Sequence, residues 1–130
     1  MLLNILRRLF ALAVRLQMRA EAASVARQLK SKSDYSFTRD HVSEHAGDWT
    51  AALEIYRGRP DLRMLEIGSL EGRSAIWFLE HVLTHPTATI VCLDPWVQPA
   101  RELRFDHNLR IAGLAGKVAK LKGRDRKSVV

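Results

Sequence analysis

The sequence predicts an α/β fold with a parallel sheet, and three observations predict it. Arg63–Ile67 and Thr89–Leu93 are short stretches that read as strands, the second apolar and strongly β-branched. Stretches with helical apolar spacing precede, separate and follow them. The links are short and carry glycine or proline. Strands alternating with helices across short links require parallel pairing with crossover connections. The chain has 130 residues, enough for one core.

Each element follows in order. Residues 1–30 predict one amphipathic helix. Leu2, Ile5, Leu6, Leu9, Leu12, Ala13 and Leu16 recur at three and four, with Arg8, Arg15 and Arg19 across from them. Residues 31–38 are a polar linker. A second helix is expected over about 39–56, with Thr38 as its N-cap and Val42, Trp49, Leu53 and Tyr56 inward. Gly58-Arg-Pro-Asp61 stops it. After the strand Arg63–Ile67, a helix from Arg73 to Leu83 turns Ile76, Leu79, Val82 and Leu83 inward. His85-Pro86 ends it, because the residue before proline leaves the helical region. Pro99 suits the first turn of a further helix reaching Ala112, stopped by Gly113 and Gly116. Lys117–Leu121 alternates apolar and basic, a third strand. Three such strands make a Rossmann-like half-sheet of order 3-2-1, with Arg63–Ile67 at the open edge. An uncovered edge there is a pairing liability, so the expectation is the front part of a larger, incomplete fold.

Charge is unevenly placed. The formal net charge is +7, yet residues 1–32 hold seven Arg or Lys against one Glu and residues 117–130 hold six against one Asp. The central stretch 33–116 holds eight against twelve acids. A nucleic-acid-binding domain places its cations on the motif-bearing surface, so no specific nucleic-acid partner is expected. The single cysteine, Cys92, excludes an internal disulfide and fits a reducing, cytoplasmic setting. No apolar run approaches the ~20 residues of a membrane span.

The chemistry concentrates after the first strand. Gly68 and Gly72 allow the backbone to approach a ligand and to take positive φ. The helix beginning near Arg73 offers unpaired N–H groups and the positive end of its dipole. Asp94 ends the second strand, 22 residues after Gly72, close to the ~20-residue spacing of an acid that grips ribose hydroxyls. The pattern Glu66-x-Gly68-x-x-x-Gly72 is wider than a dinucleotide fingerprint, which disfavours a nicotinamide enzyme. A carboxylate at Glu66 would repel phosphate and favour an amine-bearing or cationic ligand.

Glu66-Ile-Gly-Ser-Leu-Glu-Gly72 resembles the first motif of class I S-adenosylmethionine-dependent methyltransferases, and Leu93-Asp94-Pro-Trp96 resembles the acidic end of their second strand. Phe105-Asp-x-Asn108 and Leu83-Thr-His-Pro86 are similar to one bacterial branch of that family, and the resemblance covers about 34–123. It implies S-adenosyl-L-methionine as cofactor and methyl transfer to an unknown acceptor as activity. It implies that Gly68 and Gly72, with Ser69 in the same turn, back the methionine part. Glu66 would orient the amino group, Asp94 would take the ribose hydroxyls, and Trp96 would lie against the adenine. Glu71 and Arg73 are expected as solvated or helix-starting residues.

The family's pattern continues past the third strand to the catalytic and acceptor groups, which leaves the catalytic residues unknown and implies a truncated or frameshifted half. The division is then 1–33 as basic helix and linker, 34–123 as cofactor-binding part, and 124–130 as a charged tail. Against the enzyme stands a non-catalytic remnant or interaction module. For the first helix, packing on the domain or on a second copy competes with docking on a membrane or a partner. A signal or transit peptide fits poorly, for want of a clean cleavage site and of serine. His41-Val-Ser-Glu44-His45 matches a zinc-protease string without a third ligand, so no metal is expected.

Overall fold

The computed structural model describes residues 1–123; the charged tail expected at 124–130 lies outside the described residues. Three strands, β1 (Arg63–Ile67), β2 (Thr89–Asp94) and β3 (Val118–Lys122), pair in parallel in the order β1-β2-β3. That is the expected 3-2-1 half-sheet. Glu66 pairs with Cys92 and Cys92 with Lys120, which sets one face of the sheet. The central strand is the driest, with Ile90 and Cys92 fully buried.

The helices are α1 (Leu2–Lys30), α2 (Ala46–Leu53), α3 (Arg73–His81) and α4 (Pro99–Ala112). The expected inward set of α3, Ile76, Leu79, Val82 and Leu83, is buried, joined by Ala75 and Phe78. These side chains meet Ile90, Cys92, Trp96 and Phe105 in one core. The other face of the sheet is bare along its edge: Leu65 and Ile67 stand 59% and 62% exposed. Gly113 closes α4 in the left-handed conformation, its N–H reaching the carbonyls of Arg110 and Leu109.

Four boundaries differ from expectation, each for a local reason. The second helix starts at Ala46, because Asp40 Oδ1 accepts the N–H groups of Val42 and Ser43 at 2.9 and 3.0 Å and turns the chain first. Thr38 is therefore no N-cap; it is pinned elsewhere. Tyr56 is 41% exposed, since Leu53 ends the helical period and a 3-10 turn follows. Helix α3 ends at His81, with Val82 and Leu83 both donating to the Phe78 carbonyl. Lys117 lies in a 3-10 turn before β3, where its ammonium group donates to the carbonyls of Leu83 and His85.

α1 is one helix, as its period predicts, but the expected face does not pack on the domain. Val25 and Leu29, near its C-terminal end, are buried against Ala100 and Leu103 of α4. Leu2, Leu6, Leu9 and Leu16 remain exposed.

Candidate functional site

The turn between β1 and α3 is built around three left-handed residues: Gly68 at φ 85°, Leu70 at φ 48° and Gly72 at φ 83°. The two glycines serve different ends. A Cβ on Gly68 would meet nothing within 4 Å, so this glycine keeps one side of the turn open. A Cβ on Gly72 would stand 3.1 Å from Phe105 Cδ2, so this one lets α3 and α4 close on each other. Gly72 is thus required by packing against Phe105.

Leu70 and Trp96, at φ 38°, are unusual left-handed residues, and one carboxylate holds both. Asp94 Oδ2 accepts the Leu70 N–H at 3.0 Å, and Asp94 Oδ1 accepts the Trp96 N–H at 2.7 Å. The Trp96 indole N–H donates back to the Leu70 carbonyl at 2.7 Å, completing a clasp between the two loops. Asp94 is 5% exposed and Trp96 3%. The Trp96 ring packs on Phe105 at 4.8 Å with the Lys120 ammonium 5.0 Å from its centroid. Its place is inside the clasp, not on an open wall.

Glu66 ends up where the strand register puts it, on the covered face beside Cys92. Its Oε2 accepts the Ser74 hydroxyl at 2.7 Å, while its Oε1 is buried without a partner. The buried Ser69 hydroxyl also lacks one. Buried polar atoms are almost always paired, so these two neighbouring groups, one at the end of β1 and one in the turn after it, are exceptions among the described residues. Burial pushes the Glu66 carboxyl above the usual carboxylate range; the nearby Ser69 and Ser74 hydroxyls pull it back and the Asp94 charge raises it further. Burial pushes the Cys92 thiol up to about 12, so it is no nucleophile.

The buried Glu66 carboxyl ties stability to pH. The folded state holds the proton more tightly than the unfolded chain, so the stability it contributes is present at low pH. That contribution is lost as pH rises through the folded value. Glu66→Gln is therefore expected to flatten this fall and to be at least as stable as the parent at neutral pH. Thermal midpoints of both proteins from pH 4 to pH 8 check it; parallel curves would refute it.

A strap from the linker crosses the same turn. Asn108 of α4, fully buried, accepts the Ser36 N–H at 2.7 Å through Oδ1. Its Nδ2 donates to the carbonyls of Ser36 and Glu71 at 3.1 and 2.9 Å. Glu71 is not solvated as expected: it is 7% exposed and accepts the Thr38 N–H and hydroxyl at 2.7 and 2.6 Å. Arg73 is spent on the strap too, with Nε 2.9 Å from Asp40 and its guanidinium 5.0 Å from the Phe37 ring centroid. Between strap and turn lies an open cleft of about 80 Å³, lined by Thr38, Arg39, His41, Gly68, Ser69, Leu70, Glu71, Arg73, Ser74 and Arg101. Sequence patterns gave Asn108 and Ser74 no role and put Glu71 in solvent or at the helix start. The one available signal was Asn108 itself, a polar residue beside Phe105 and Leu109 on the inner face of α4.

His41 lies in the turns before α2 and His45 at its N-cap, so the zinc-protease string does not sit on one helix. Among the described residues no group of three or more His, Cys, Asp or Glu could hold a metal ion.

No family model matches the chain, and no curated protein matches it. Solved structures do. Cofactor-bound Rv0187 from MTB shares 26% identity at a TM-score of 0.54, over 86% of this chain and 46% of its own. The O-methyltransferase of Bacillus cereus, in complex with SAH, shares 19% at 0.55, over 84% and 46%. The O-methyltransferase TomG from Streptomyces achromogenes, involved in tomaymycin synthesis and solved with SAM, shares 23% at 0.51, over 87% and 49%. This chain has the partial fold of such methyltransferases. It spans just under half the length of each of these three proteins. The match places the parallel half-sheet and its helices in a known architecture.

Proposed function

We propose that residues 34–123 form the S-adenosylmethionine-binding half of a methyltransferase, with residues 1–33 a basic helical extension and its linker. The observation that carries this reading is the pair of orphaned buried groups, Glu66 Oε1 and the Ser69 hydroxyl, at the open glycine turn. A carboxylate with a free acceptor suits an ammonium group, and the hydroxyl can donate or accept beside it. A phosphate-bearing ligand would be repelled there.

When bound, S-adenosylmethionine supplies an electrophilic methyl group on a sulfonium. This chain's own residues bind and orient. Glu66 accepts from the amino group, and Gly68 and Ser69 offer backbone at close range. Each Asp94 oxygen already takes one N–H and keeps further acceptor capacity for a ribose hydroxyl. Trp96 works indirectly, by holding the clasp that shapes the loop. Methyl transfer also needs an acceptor held in line with the methyl group. The whole protein would supply that from the part of the methyltransferase fold that this half-sheet does not include. A cytoplasmic site of action fits the single buried thiol of Cys92. No helix among the described residues is long and apolar enough to cross a membrane.

Titration calorimetry with S-adenosylhomocysteine tests the reading, with circular dichroism showing that the chain is folded. One-to-one binding is expected, weakened about tenfold (~1.4 kcal/mol) in Glu66→Gln. No heat of binding from the folded chain, or tighter binding of NADH, would sink the proposal.

A further inference from the structure

α1 carries two apolar stripes on roughly opposite sides at 3.6 residues per turn. Met18, Ala22, Val25 and Leu29 form the inner one, with Val25 and Leu29 buried against α4. Leu2, Ile5, Leu9, Leu12 and Leu16 form the outer one, spaced three and four apart. The outer stripe is open to solvent throughout: Leu9 is 57% exposed, Leu12 53% and Leu16 55%. One rigid helix cannot turn both stripes to the same body, so the outer one is left for another occupant. At 3.6 residues per turn Arg8, Arg15 and Arg19 line the flank between the stripes, not the face directly across from the outer one that the sequence reading predicts, and the first acid in the chain is Glu21.

We propose that the outer stripe lays α1 along an anionic lipid surface. A helix lying in a bilayer interface buries an apolar face and sends arginine heads from its flank to the anionic headgroups, the long stems reaching past the apolar edge. Arg8, Arg15 and Arg19 have that position. The helix cannot cross the bilayer. Docking requires no unpacking, because the inner stripe holds the α/β body on the far side. A second copy fits the same face less well. Pairing outer stripes would bring two arginine flanks together over a stretch with no acid to neutralise them.

The test is co-sedimentation of the full chain with vesicles of phosphatidylcholine alone and of phosphatidylcholine mixed with phosphatidylglycerol. The anionic vesicles are expected to bind at least about tenfold more strongly, and less so as salt is raised. Leu9→Asp with Leu12→Asp is expected to lower that binding by at least about tenfold, because the apolar face is interrupted. Both side chains are exposed, so circular dichroism and the thermal midpoint should not move. Three results would each overturn the proposal. They are equal binding to both lipids, a double variant that sediments like its parent, and a concentration-dependent dimer that the double variant abolishes without any vesicle binding.

Discussion

Asp94→Ala is expected to abolish measurable binding of S-adenosylhomocysteine and to loosen both loops at the carboxyl end of the sheet. The side chain is the shared acceptor for the Leu70 and Trp96 N–H groups. Hydrogen bonds to a charged acceptor contribute about 1.5–3 kcal/mol each. Part of that loss is returned, because Leu70 and Trp96 no longer have to stay left-handed, a conformation costing about 1–3 kcal/mol at such residues. A net destabilisation of about 2–4 kcal/mol follows, a large part of the 5–15 kcal/mol that holds an ordinary domain. The affinity should fall at least about a hundredfold (~2.7 kcal/mol), since ribose contact and loop shape go together. Asp94→Asn separates the two effects. Its single carbonyl oxygen can keep one N–H while its NH₂ faces the other, so it should fall between parent and alanine in thermal midpoint. Calorimetry and thermal unfolding on the three proteins check this. Undiminished binding by Asp94→Ala would remove the carboxylate from the site.

Phe105→Ala is expected to cost about 3–5 kcal/mol, the range for deleting a fully buried aromatic ring. Phe105 has no exposed surface, packs on Trp96 at 4.8 Å and fills the space against Gly72. It therefore supports both loops from beneath. Gly72→Ala probes the same contact from the other side. The new Cβ would sit 3.1 Å from the ring, at a φ of 83° that costs an alanine roughly 1–2 kcal/mol by itself. In the double variant the ring is gone and the clash with it, so the two costs should add to less than their sum. Urea denaturation of the parent, both single variants and the double variant measures that coupling. Strict additivity, or a loss below about 1 kcal/mol for Phe105→Ala, would show that the ring does not carry the turn.

The site was legible in the sequence to the extent that it depends on backbone. Gly68 and Gly72 announce positive φ, and Asp94 announces a strand end, because those properties belong to single residues and their spacing. The strap was not legible. Glu71 looks like a helix-starting surface acid until Thr38, 33 residues earlier, is seen donating to it. Asn108 reaches Ser36 across 72 residues, and no local period reports such a bond. The start of α2 failed similarly, because the Asp40 turn competes with the helix for the same N–H groups.

The sequence by itself determined the parallel half-sheet, its order, the glycine turn and the amphipathic nature of α1. These follow from the alternation of elements and from residue-level backbone limits. Only the tertiary structure decided where each candidate sits and what it touches. It set Glu66 under the sheet with an orphaned oxygen, turned Gly72 toward Phe105 and folded Trp96 into a clasp. It also chose Val25 and Leu29, not Leu2 to Leu16, as the contact face of α1. The physical reason is common to all of these. Periodicity tells which residues share a face, but which face is buried depends on what the rest of the chain brings against it.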